Sequence, residues 1–183
     1  MSSRLRPAAV LCALLSAPLA AADSQADAGV GAMLTSPFAL GLPGRPWRLL
    51  VELPGFEMVP VPQRKGSARA LGALERSGLT VSLTVAESPG DPSARSCRDH
   101  DWAGRQKAAP LLREDAQLSA TGDQARVEFL VPTAEGQAVN EKHVLLYLQR
   151  DGVCAIVHLW KLHYSPKDAD EVERLLASVR LGS

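Results

Sequence analysis

Cys97, His100 and Asp101 lie within five residues of one another, and a thiol nucleophile, its base and an orienting carboxylate need those side-chain types. On a helix Cys97 and Asp101 share a face and His100 is adjacent to it. A second cysteine, Cys154, competes with that reading, because it can remove the thiol by pairing with it. The remaining histidines are His143, His158 and His163. Metal ligands must converge on one point. His158 and His163 are an odd number of residues apart on one expected strand, so they face opposite sides of a sheet. His143 can approach one of them across a hairpin, but two ligands make a poor site. No metal and no cofactor is therefore expected. The sequence contains no phosphate-binding Gly-x-x-x-x-Gly-Lys-[Ser/Thr], no dinucleotide-binding Gly-x-Gly-x-x-Gly after a strand, no Gly-x-Ser-x-Gly and no His-Glu-x-x-His. Nucleotide, hydrolase and zinc-protease chemistry thus lack their usual sequence support.

Two features remain. Asp101 falls on a helix face with Ala94, Cys97, Gly104 and Ala108. Buried there it needs a partner, and Arg98, Arg105 and His158 are the candidates. The segment Val153–Tyr164 puts Cys154, Ile156, His158, Trp160, Leu162 and Tyr164 on one side, with Val153, Ala155, Val157, Leu159, Lys161 and His163 on the other. Both sides are largely apolar, as in a central strand covered on both faces. Asp101, His158, Trp160 and Tyr164 form the candidate binding surface, for an unknown protein or a small ligand.

The elements that position these residues follow from periodicity. Trp47–Leu53, Ala68–Glu75 and Leu79–Glu87 alternate as strands, the last two joined around Ser77-Gly78. Residues 56–67 read as a loop or short irregular strand. A helix is expected from Asp91-Pro92 to about Ala109, with Trp102 off its small-residue face, among Arg95, Arg98 and Arg105. Ala125–Val131 alternates again, Pro132–Asn140 reads as a polar turn, and Lys142–Arg150 meets Val153–Tyr164 through Asp151-Gly152, a strong hairpin signal. Ser165, Pro166 and Asp168 then open a helix with Val172, Leu175, Leu176 and Val179 as its buried stripe and Arg180 at its C-terminal end. The fold class is α+β: an antiparallel sheet of about six strands covered by two helices.

Residues 1–22 read as a secretory signal peptide: Arg4 and Arg6, the apolar run Ala8–Leu19, then Ala20-Ala21-Ala22 before Asp23. The run is too short to span a bilayer, which takes about 20 residues. Cys12 lies inside it, preceded by Val10-Leu11, and is read as removed with it. Residues 23–46 are expected to be a flexible lead-in, and 47–183 a single domain. The location is periplasmic or secreted, with no stable membrane span after cleavage. Twenty Lys+Arg balance twenty Asp+Glu. Removal of two arginines leaves a net charge near −2, so no basic field points to nucleic acid. Arginine outnumbers lysine fifteen to five, which suggests a GC-rich bacterial genome.

The opening Trp47-x-Leu49-x-Val51-x-Leu53-Pro54-Gly55-Phe56 and the closing strand Val153–Tyr164, followed by Ser165–Leu181 with Glu173–Arg180 on its helix, resemble the PsbP-like fold. That fold is named for the extrinsic protein of the plant oxygen-evolving complex. The resemblance covers about 47–183 and implies a non-catalytic accessory or binding domain, which the expected export signal would carry to the bacterial cell envelope. It transfers no functional residue. Cleavage of the signal leaves Cys97 and Cys154 as an even pair in an oxidising compartment, and helix-on-sheet packing brings them together as a disulfide.

Overall fold

The computed structural model describes residues 37–88, 90–108, 115–134 and 137–183. All of them belong to the second of two units, Met1–Val30 and Gly31–Ser183. The expected export signal and residues 23–36 of the expected lead-in lie outside the described residues.

Seven strands form one antiparallel sheet. In spatial order they are β3 (Glu57–Arg64), β4 (Ser67–Leu74), β5 (Leu79–Glu87), β9 (Val153–Lys161), β8 (Gln137–Arg150), β7 (Gln124–Ala134) and β6 (Gln117–Thr121). Three short strands, β1 (Phe38–Leu40), β2 (Arg48–Val51) and β10 (Arg180–Gly182), form a second antiparallel sheet with β2 in the middle. The helices are α1 (Ala94–Ala108) and α2 (Ala169–Ala177). The class is α+β, as expected, with more strands than the six anticipated.

The central strands form for the reason their sequence suggests. Alternate residues of β5, Leu79, Val81, Leu83 and Val85, are buried on one face. In β8 five consecutive residues, Val144–Leu148, are buried, because both faces of the sheet are covered there. The β8–β9 turn is the anticipated Asp151-Gly152, with φ of 50° and 73°. Such a left-handed pair suits the twist of a two-residue hairpin. The small sheet and α2 cover one face, where Leu49, Val51 and Leu53 meet β4, β5, β9 and α2 residues Val172, Leu175 and Leu176. The helix α1 covers β7 and β8 on the opposite face.

Several boundaries differ from expectation. The strand β1 falls within the segment read as a lead-in, where Phe38–Leu40 pair with Leu49–Val51. The strand β3 carries Pro60 and Pro62 and lies at a sheet edge, where a missing donor is tolerated. The strand β6, Gln117-Leu118-Ser119-Ala120-Thr121, is exposed at every position, so its short alternation buries no face. Of the expected turn Pro132–Asn140, residues 132–134 and 137–140 are strand instead: β7 runs to Ala134 and β8 starts at Gln137, with the pairing register shifted between Val131 and Thr133 around Pro132. The last helix ends at Ala177, not at Arg180. Ser178 closes it by donating its hydroxyl to the Leu175 carbonyl (2.7 Å) while accepting the Glu52 amide (3.0 Å). Arg180 accordingly starts β10 opposite Leu50 instead of ending a helix.

Candidate functional site

The helix α1 starts at Ala94, where the Ser93 hydroxyl accepts the Ser96 amide (3.0 Å) and caps it. Its buried residues are Ala94, Cys97, Arg98 and Trp102, while Gly104 and Ala108 are exposed. The inward face is thus turned from the expected small-residue stripe, and Trp102 lies in the core. The repeat Ala94, Arg98, Trp102 at four-residue spacing was the available signal. Cys97 and Cys154 form a disulfide, with Cα atoms 5.9 Å apart, joining the first turns of α1 to the start of β9.

Asp101 projects from α1 toward the sheet. Its Oδ2 accepts hydrogen bonds from Arg105 Nε (2.7 Å) and from the hydroxyl of Tyr147 on β8 (2.8 Å). Of the three partners considered, only Arg105 binds it. Arg98 is nearly buried and instead pairs with Asp99 (2.7 Å) and donates to the Ser119 carbonyl of β6 (2.8 Å). Tyr147 was not singled out in the sequence, although it shares the β8 parity of His143 and Leu145. Burial first, and then the Asp101 carboxylate, push its phenol well above the ordinary tyrosine range. It therefore stays protonated and acts as a donor.

The expected approach of His143 to another histidine is realised. His143 Nδ1 and His158 Nε2 lie 3.0 Å apart on neighbouring strands. Their rings belong to a continuous row. Trp102 packs against Phe129 (5.4 Å between centroids), Phe129 on His143 (4.5 Å), His143 on His158 (5.3 Å) and His158 on Trp160 (4.8 Å). Burial is the largest cause lowering His158, to about 3, with Arg105 and His143 adding to it. Burial also lowers His143, with Glu141 opposing it from 3.6 Å. Both rings are therefore neutral near pH 7, and one ring nitrogen can donate to the other. Two neutral, stacked imidazoles make a hydrogen-bonded pair, and among the described residues no group of three or more metal-type side chains converges. His100 and His163 are exposed and outside this row.

The expected grouping of Asp101, His158, Trp160 and Tyr164 splits. The first three are on the α1 face. The strand β9 ends at Lys161, and His163 adopts φ of 53°, which breaks the alternation. Tyr164 is carried to the α2 face, where it packs against the larger core. Near it lies a charged network: Arg126 reaches Glu173 with both terminal nitrogens (3.1 and 2.5 Å) and Glu128 through Nε (2.7 Å), and Lys142 binds Glu128 (2.8 Å). Beside Arg126 a groove of about 330 Å³ opens between α2 and strands β6 to β8. Its walls include Ser119, Thr121, Gln124, Leu146, Glu173 and Leu176. No sequence motif marked this groove, because its residues come from four separate elements.

No protein-family model matches the chain, and neither does any curated protein. The fold is similar to the solution structure of cyanobacterial PsbP (CyanoP) from Synechocystis sp. PCC 6803. The TM-score is 0.51 at 16% sequence identity, and the likeness covers 84% of this chain and 96% of that chain. The PsbP-like architecture expected from the opening strand and closing helix is the observed one. At this identity the likeness is one of fold. Among the described residues, no helix is long and apolar enough to cross a membrane.

Proposed function

We propose that this chain is an exported, non-catalytic accessory or binding protein of the bacterial cell envelope. One observation carries the reading: the side chains suited to chemistry on the α1 face are bound to one another. Cys97 is joined to Cys154, Asp101 is held by Arg105 and Tyr147, and His143 faces His158. The disulfide and the Tyr147–Asp101 bond fix α1 on the sheet, and the histidine pair joins β8 to β9 beneath it. The disulfide suits an oxidising compartment, and the PsbP-like architecture agrees with an accessory role.

Two experiments test the reading. Mass spectrometry of the exported chain is expected to find a new N-terminus within a few residues of Asp23, whereas an intact Met1 in the periplasm contradicts export. In a strain lacking the protein, chains carrying Asp101→Asn or His143→Gln with His158→Gln are expected to restore the wild-type phenotype wherever they fold. Failure of such folded variants to complement would favour catalysis at this site. A second reading, a small-ligand carrier, draws support from the groove beside Arg126.

A further inference from the structure

We propose that the groove between α2 and strands β6 to β8 binds a small amphipathic carboxylate, about the size of an acylated amino acid, on the guanidinium of Arg126. The assignment rests on the carrier reading and names its ligand. At about 330 Å³ the groove reaches the lower range of small-molecule sites, roughly 300–1,000 Å³. Leu146, Leu176 and Ala177 supply an apolar flank, while Ser119, Thr121 and Gln124 supply hydrogen-bonding groups. This pairing of surfaces suits a molecule with one apolar branch and one amide.

Charge selects the headgroup. Arg126 and Lys142 are matched by Glu128 and Glu173, so the cluster is neutral while Glu173 is in place. Glu173 is the most exposed of the four, with 58% of its side chain accessible against 22–25% for the others. It is also the only one on a helix, since the rest stand on β7 and β8. It is the member that can swing into water, at the cost of its two-pronged pair with Arg126. Its departure leaves one net positive charge and a free two-pronged donor at the wall of the groove. The Glu173 carboxylate, gripped by both terminal nitrogens of Arg126, shows the geometry the ligand headgroup adopts. Arg126 holds the Glu173 carboxyl below the ordinary glutamate range, as a site for a carboxylate anion should. Glu173 is thus an internal competitor for the ligand.

The test uses N-acetyl-leucine and its neutral counterpart N-acetyl-leucinamide, titrated into the folded protein while amide NMR shifts of Ser119, Gln124 and Ala177 are followed. N-acetyl-leucine is expected to shift these residues and the amide not to. Glu173→Gln removes the charged competitor and is expected to tighten binding at least about fivefold, the upper end for an ion pair at a surface. Arg126→Gln is expected to abolish it. Ala177→Phe, a change at an exposed position that fills the groove, is expected to abolish it with Arg126 intact, so the result does not depend on whether Arg126→Gln folds. Equal binding of acid and amide would overturn the carboxylate assignment and leave the carrier reading standing. Absence of binding by both, in wild type and in Glu173→Gln, would overturn both. Binding indifferent to Ala177→Phe would place the ligand elsewhere and overturn the site.

Discussion

On the α2 face of the large sheet, twenty-five buried apolar residues from six strands, a helix and the segments between them form one cluster; on the α1 face there are nine, and two of those are the disulfide cysteines. The larger cluster gains its cohesion from area removed from water, at about 25 cal/mol per Å². The smaller one lacks that area and is held by specific links: a covalent bond, a carboxylate with two donors, and a row of five rings. The two faces should therefore fail differently. A lost methylene group should damage the α2 face most, and a lost link the α1 face.

The largest effect is expected from the disulfide. It closes a loop of 57 residues, for which the chain-entropy model gives roughly 4 kcal/mol. Denaturant unfolding with and without reductant should show a loss approaching that size. Hydrogen exchange should show α1 amides losing protection first, ahead of β4 and β5. Uniform loss across both faces would break the comparison. Leu49→Ala comes next, at about 3 kcal/mol, because Leu49 is fully buried in the larger cluster and its removal leaves a cavity. Here the α1 amides should be no more affected than the rest. Selective loosening of α1 by Leu49→Ala would show that the two faces are coupled.

The α2 face was also the more legible in the sequence. Its residues come from long alternating strands and one amphipathic stripe, and Leu79, Val81, Leu83, Val85, Val172, Leu175 and Leu176 are buried as their periodicity indicates. The α1 face was legible only in part. The cysteine pair followed from residue count and the expected oxidising compartment, and the approach of His143 to another histidine from the Asp151-Gly152 hairpin. The rotation of α1 that buries Trp102 had only the Ala94, Arg98, Trp102 repeat to signal it, because the helix mixes small and charged residues on every side. Tyr147 was one apolar position among five in β8. The groove beside Arg126 and the strands β6 and β10 were hidden for another reason. Their structure depends on pairing between segments, and neither strand is long enough or buried enough for its pattern to stand out. The reversal of Tyr164 required a single left-handed residue, His163, which has no preference strong enough to announce it.

Acid should expose the α1 face further. His158 is lowered to about 3 from its ordinary 6.5, and His143 is lowered too, burial being the main cause for each. The unfolded chain takes up protons between pH 6.5 and 3 that the folded chain refuses, so stability falls as pH falls through that window. From pH 7 to pH 5, one histidine that stays neutral in the fold accounts for about 2 kcal/mol. Denaturant midpoints at pH 7, 6 and 5 measure this, in a range where ordinary carboxylates remain ionised. His158→Gln should flatten the dependence by about that amount. A flat wild-type profile would mean that the histidine row is open to water in solution.

The smallest effect concerns Tyr147 and Asp101, where the α1 face joins a buried donor to a carboxylate that water can reach. The Tyr147 ring is fully buried, and its hydroxyl lies 2.8 Å from Asp101 Oδ2. Removing one partner of a hydrogen bond to a charged group ordinarily costs about 1.5–3 kcal/mol. Tyr147→Phe should cost less, about 1 kcal/mol, because Asp101 keeps Arg105 at 2.7 Å and a quarter of its side chain is exposed. The ring stays in place, so no cavity opens. Asp101→Asn leaves an acceptor for the phenol and should cost no more. Asp101→Ala removes the acceptor and leaves a fully buried hydroxyl unsatisfied, so it should cost more than Tyr147→Phe. The double variant Tyr147→Phe with Asp101→Ala should then cost less than the sum of the two singles, since the stranded donor is gone. Additive losses in that cycle would show that the hydroxyl and carboxylate do not depend on each other. The α1 face would then be held by the disulfide and the ring row alone.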